Sequence, residues 1–184
     1  AWEKKTAIEA YAAGRSSLNN NPLNQMWSEA IFEAEPYTGN IVWEWHLWDH
    51  LIQDIGSSYG AFYGTISDHP ELLDINYGNV GSSGGPGGAN GDWRHHNAIA
   101  YNEQLDQIVM SSRHGDEIMV IDHSTTTEEA ASHSGGNSGK GGDFLYRWGN
   151  PKNYNVGTSQ DQILYAPHGA NWINENFPGS GNII

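Results

Sequence analysis

A chain of 184 residues with 37% hydrophobic content, eight Trp and nine Tyr is long enough for one domain with a sizeable core and too apolar for disorder. Its 22 acidic against eight basic residues give a formal charge of -14, which excludes the extended basic surface that a nucleic-acid backbone or an anionic membrane face requires. The lack of cysteine excludes disulfides, thiolate metal sites and cysteine nucleophiles, and no apolar run reaches the roughly 18 residues of a membrane span.

No signal-peptide pattern opens the chain, which begins without Met in what reads as a strand end, Ala1 to Lys4. Thr6-Ala7-Ile8-Glu9 has capping-box spacing, so Ala7 to Ala13 reads as a short helix closed near Gly14, with an Asn-rich turn at 19–22. Ser28 to Glu35 alternates as a strand, 36–40 is a turn, and Ile41 to Trp45 is the return strand of a hairpin. Residues 49–91 form a long connection with a short helix expected near Pro70 to Asp74 and a glycine-rich tract from Gly78 to Gly91. A segment of this kind is either a functional loop or a solvated linker. Asn97 to Tyr101 and Gln107 to Ser112 read as a second hairpin, followed by a strand over Glu117 to Asp122 and a polar loop over Ser124 to Lys140.

Two internal echoes suggest a repeat. Gly39 to Trp45 matches Gly142 to Trp148 as a Gly turn followed by a strand ending in Trp, and the pattern that follows His95 returns after His168. The reading is therefore all-β, with residues 95–148 as one four-stranded β-propeller blade and short helical insertions. Residues 1–48 close a preceding blade, 49–94 are a Gly-rich insertion, and 149–184 open the next blade. Two to three blades fall short of the roughly 4 to 8 of a closed propeller. A fragment, or one chain of a split assembly, is expected.

Chemistry concentrates in the second hairpin. Asp92-Trp93-Arg94-His95 leads into it and Ser111-Ser112-Arg113-His114 leaves it, placing a histidine and an arginine at its ends, with His168 as a third candidate. Such a set suits an oxyanion: Arg offers a planar fork of donors, and imidazole offers a nucleophile or a proton.

The run Asp92-Trp93-x-His95-x-Asn97, then Leu105-Asp106-Gln107-Ile108, Ser111-Ser112-Arg113, Ile121-Asp122-His123-Ser124-Thr125 and Gly142-Asp143-x-Leu145-Tyr146-Arg147-Trp148-Gly149-Asn150-Pro151, resembles the bacterial arylsulfate sulfotransferase (ASST-like) family. The resemblance implies a six-bladed propeller, periplasmic or extracellular. Such a protein passes a sulfuryl group from an aryl sulfate ester to a phenol through a sulfated histidine, with no nucleotide sulfate donor, cofactor or metal. It implies His168 as nucleophile, His95 and Arg113 as catalytic pocket residues, and Asn97 with Arg113 on the substrate, Asn97 helping to orient His95. A further histidine is expected ahead of Ala1. Expected partners are the two small aromatic substrates and either a homo-oligomer or the rest of the propeller. Around the nucleophile the family's Gly-Gln-His-Asp-Ala is replaced by Ala166-Pro167-His168-Gly169-Ala170.

The competing reading is a non-catalytic extracellular propeller module with a degenerate pocket. Other candidates carry less. His46 and His50 would make an i, i+4 metal pair only on a helix, His96 and His114 read as solvated, and Arg147 reads as packed on aromatic rings. The glycine tract lacks the Lys-Ser/Thr ending of a phosphate loop, and no acidic run has the spacing of a calcium loop.

Overall fold

The computed structural model describes residues 1–18, 21–82 and 88–184. Asn19 and Asn20 of the expected turn and residues 83–87 of the glycine tract lie outside them.

β1 (Trp2–Thr6) runs directly into α1 (Ala7–Ala12). The Thr6 hydroxyl accepts from Glu9 N at 3.3 Å while Glu9 Oε2 accepts from Thr6 N at 2.7 Å, so the capping box forms as its spacing requires. β2 (Gln25–Ala34) starts earlier than its apolar alternation suggests and pairs antiparallel with both β1 and β3 (Ile41–His46). This three-stranded sheet buries Met26, Ala30, Trp43 and Trp45.

The long connection is built in rather than solvated. β4 (Leu51–Ile52) pairs in parallel with β5 (Leu73–Asp74), and Ile52, Ile66 and Leu72 form a small core of their own. The expected helix near Pro70 to Asp74 is absent: a single 3₁₀ turn lies earlier, at Ile66–Asp68, and Leu73 and Asp74 are extended. Burial of Leu72 and Leu73 with a backbone ladder to β4 outweighs local helix preference.

β6 (His96–Asn102), β7 (Gln107–Ser112), β8 (Glu117–Asp122) and β9 (Tyr146–Trp148) form a four-stranded antiparallel sheet in chain order. Ile108 opposes Ile121 and Met110 opposes Met119, and this face packs with Trp43 and Trp45 of the first sheet. Val109, Val120 and Ile118 face the other way, against Ala170, Leu164 and Trp172. Both faces of the sheet are therefore covered. That is why β7 and β8 read as continuous apolar runs.

The polar loop after β8 contains an unforeseen helix, α2 (Thr127–Ala130), with a second capping box between Thr126 and Glu129. The Gly39 and Gly142 repeats differ in side-chain phase. Trp43 and Trp45 are buried in β3, whereas Tyr146 and Trp148 are exposed in β9 and Arg147 points inward instead. The architecture is all-β with short helical insertions.

Candidate active site

Trp93 and Arg94 anchor the approach to β6. Both are fully buried, with Trp93 Nε1 donating to Tyr77 O at 3.0 Å and Arg94 Nη2 donating to Glu117 Oε1 at 3.0 Å. The chain then turns through His95 at φ +54, a left-handed conformation unusual for a side-chain-bearing residue. Arg113 N donates to His95 O at 3.0 Å and His114 N to Arg94 O at 3.1 Å. The two ends of the β6–β7 hairpin thus meet at one end of the sheet.

Above this join lies a cleft of about 790 Å³ lined by Asp92, His95, Arg113, His114, Asp116 and Ala166, with the other wall from residues of the glycine tract and Tyr77. His95 Nδ1 lies 2.5 Å from Asp92 Oδ2. A carboxylate accepts there, so Nδ1 carries the proton and Nε2 is left for chemistry. His114 Nδ1 donates to Trp93 O at 3.2 Å, which leaves its Nε2 to accept from Arg113 Nη1 at 2.9 Å. Partial burial lowers the His114 pKa and favours this neutral, accepting form. His114 is exposed, as expected, and also braces the guanidinium. The His95 and His114 rings stand 5.1 Å apart.

His95 and Arg113 come together; the other two expected site residues do not join them. His168 is exposed and is not among the residues lining the cleft, although Ala166 is. Its loop is tied to the sheet twice, by Ala166 N donating to Asp116 Oδ1 at 2.7 Å and by Asn97 Nδ2 donating to Pro167 O at 2.9 Å. His168 Nδ1 donates to Ala166 O at 3.0 Å, so its Nε2 also keeps a lone pair. Asn97 does not orient His95; that is done by Asp92. A register shift between His96 and Ala98 makes Asn97 the extra residue of a bulge, and its side chain reaches Pro167 and the Ser111 hydroxyl instead.

His96, by contrast, is not solvated. Its ring nitrogens are buried without partners beside Glu29, in a cavity of about 600 Å³ between β2 and β6. Burial pushes His96 down to about 3 and Glu29 up to about 7. His46 ends a strand and pairs with Glu3 and Glu44, while His50 closes a 3₁₀ turn, so the i, i+4 pair does not form.

Beneath the cleft sits a group that the sequence pattern hides. Glu117 is fully buried and accepts from Arg94, from Arg147 Nε and Nη2 at 3.0 and 2.9 Å, and from Asn153 Nδ2 at 2.6 Å. Arg147 also stacks over Tyr154 and Phe144, so aromatic packing holds for it, but on rings other than its sequence neighbours. The one available signal was an acidic residue opening the otherwise apolar strand Glu117 to Ile121.

The sequence model of the family described as Arylsulfotransferase (ASST) matches residues 7–145. The chain belongs to the arylsulfotransferase family. The matched span contains Asp92, His95, Asn97, Arg113 and His114 and ends before His168. Membership points to transfer of sulfate groups between aromatic compounds, with aryl sulfates and phenols as substrates. No curated protein and no solved structure matches the chain. Among the described residues no helix is long and apolar enough to cross a membrane.

Proposed function

We propose that this chain moves a sulfuryl group from an aryl sulfate ester to a phenolic acceptor by double displacement, through a sulfohistidine on His168 and without a nucleotide sulfate donor. The observation that carries the reading is the joining of Asp92-held His95 and His114-braced Arg113 in one cleft, within the span matched to the family. In the first half-reaction His168 Nε2 attacks sulfur, an N–S bond forms and the aryl S–O bond breaks. His95 enters this half-reaction doubly protonated, its Nδ1–H on Asp92, and hands the Nε2 proton to the departing phenolate oxygen. In the second, His95 takes the proton of the acceptor phenol, whose oxygen attacks sulfur and releases His168. Arg113 presents its fork to the sulfuryl oxygens, where charge must be stabilised during transfer. The ties from Asp116 and Asn97 keep the His168 loop beside the cleft.

The same proposal takes the sheets as blades of a β-propeller working in the periplasm or outside the cell. Its support is the chain-order meander of β6 to β9, covered on both faces, and the exposure of Ile99 and Tyr101 on edge strand β6, the surface that further blades would close. A second reading, a binding module with a degenerate pocket, is favoured by one observation: His168 stands outside the cleft.

The test is incubation of the folded chain with a chromogenic aryl sulfate, with and without a phenol acceptor. Phenolate release should require His168, and donor alone should leave a sulfuryl adduct on the His168 peptide. An adduct on His95 would move the nucleophile into the cleft. No phenolate release at all would favour the binding module.

A further inference from the structure

We propose that His50, His133 and Asp143 form a binding site for a zinc-type divalent cation, separate from the cleft and independent of the sulfuryl-transfer reading. The three come from distant segments: His50 closes the 3₁₀ turn after β3, His133 follows α2, and Asp143 precedes β9. His50 Nδ1 lies 2.7 Å and His133 Nδ1 2.8 Å from the same oxygen, Asp143 Oδ1, and the three potential ligand atoms all fall within 4.8 Å of one another.

The outer nitrogens decide what the inner ones offer. His50 Nε2 is 2.8 Å from Ala130 O, and a carbonyl only accepts, so Nε2 carries a proton, and in the neutral ring Nδ1 turns its lone pair toward the carboxylate oxygen. That contact is satisfied either by a second proton on the ring or by a cation between the two atoms, and a second imidazole aimed at the same oxygen favours the cation. His133 Nε2 is 2.9 Å from the Tyr63 hydroxyl, which can accept an N–H in the same way. Both imidazoles would then bind through Nδ1 with Nε2–H held by a fixed oxygen, the arrangement that orients histidine ligands around metals.

Packing favours the same arrangement. Trp45 stacks on the His50 ring at an interplanar angle of 4°. Gly142 is required beside it, since an added Cβ would lie 2.6 Å from His50 Nε2 and closer still to Ala130 O. His50 is wholly buried and Asp143 nearly so, whereas the His133 side chain is 37% exposed, giving an ion a route in and a fourth position for water. Ligands of a tetrahedral ion with bonds of about 2.0–2.1 Å sit about 3.3 Å apart, so each of the two nitrogen–oxygen contacts must open by only about half an ångström. Two imidazoles with one carboxylate select zinc-like ions over Mg²⁺ or Ca²⁺, which prefer all-oxygen shells.

The test uses the whole chain, stripped with chelator, then titrated with Zn²⁺ by calorimetry and with Co²⁺ by its visible ligand-field absorption. The expected result is one ion per chain with a tetrahedral Co²⁺ spectrum. His133→Ala and Asp143→Asn should each weaken binding by at least the about 10- to 100-fold that losing an outer-shell partner costs. His114→Ala, in the cleft, should leave it unchanged. Should Asp143→Asn fail to fold, the exposed His133→Ala and the outer-shell Tyr63→Phe carry the test. The proposal is overturned by absence of binding, by binding that survives His133→Ala, or by binding that is lost in His114→Ala.

Discussion

Glu117 and Asp92 each gather cationic or basic groups at one end of the β6–β8 sheet, yet they do different work. Glu117 is closed off from water, and both oxygens are taken up by Arg94, Arg147 and Asn153. Asp92 faces a cleft and holds one nitrogen of His95 while the other stays available. Burial with full pairing makes a support; partial exposure with one uncommitted nitrogen makes a reagent. The two are stacked, because Arg94, held by Glu117, gives its backbone carbonyl to Ser112 Oγ and His114 N. The support therefore fixes the end of β7 from which Arg113 projects.

The sharpest way to break this contrast is Glu117→Gln. The substitution keeps shape but leaves two buried guanidiniums without a carboxylate, and removing one partner of a buried ion pair costs about 3–5 kcal/mol. Urea unfolding should show that loss. A change within about 0.5 kcal/mol would mean that the Glu117 cluster is not a support. On the reagent side, Arg113→Ala should leave the midpoint of unfolding almost unmoved, as its side chain is exposed, while lowering aryl sulfate turnover by about 10²- to 10³-fold. Arg113→Lys should recover little of it, since an ammonium cannot present a planar fork. Equal damage to stability from Arg113→Ala would erase the distinction.

How far these roles were legible in the sequence depended on range. Thr6 and Glu9 announced α1, and the two short apolar runs within Asn97 to Ser112 announced the hairpin that joins His95 to Arg113. The same Thr-x-x-Glu signal at Thr126 is masked by the surrounding Ser and Gly, which read as loop. β4 and β5 are two residues each and pair across a long connection, so no local periodicity could show them. The three partners of Glu117 lie at 94, 147 and 153, and the bulge that diverts Asn97 to Pro167 is a register effect. Residue types were readable; which of them a side chain would face was set by contacts made across the fold.

A third experiment probes the cavity behind β6. Folded Glu29 holds its proton more tightly than the unfolded chain does, so its contribution is fully present below about pH 4.5 and is lost as pH rises through about 7. His96 has the opposite sign. Its folded pKa near 3 lies below the ordinary 6.5, so stability is lost as pH falls from about 6.5 toward 3. Between about pH 4.5 and 6.5 the two slopes cancel. Glu29→Gln should therefore gain about 3 kcal/mol at pH 8, gain nothing at pH 4, and leave stability climbing with pH across the interval where the wild type is flat. Equal gains at both values would show that Glu29 does not carry this proton.

The smallest effect is the most diagnostic for the cleft. If His114 acts only by bracing Arg113, His114→Ala removes one hydrogen bond to a charged group, worth about 1.5–3 kcal/mol at most, and turnover should fall by roughly 10-fold. The fall should appear in kcat with KM little changed, because the guanidinium is needed where charge develops. A merely structural role predicts a different result in the double variant. Once Arg113 is gone its brace has nothing to hold, so Arg113→Ala with His114→Ala should be no slower than Arg113→Ala alone. Additive losses would instead give His114 its own contact with the substrate and move it from positioning residue to catalytic residue.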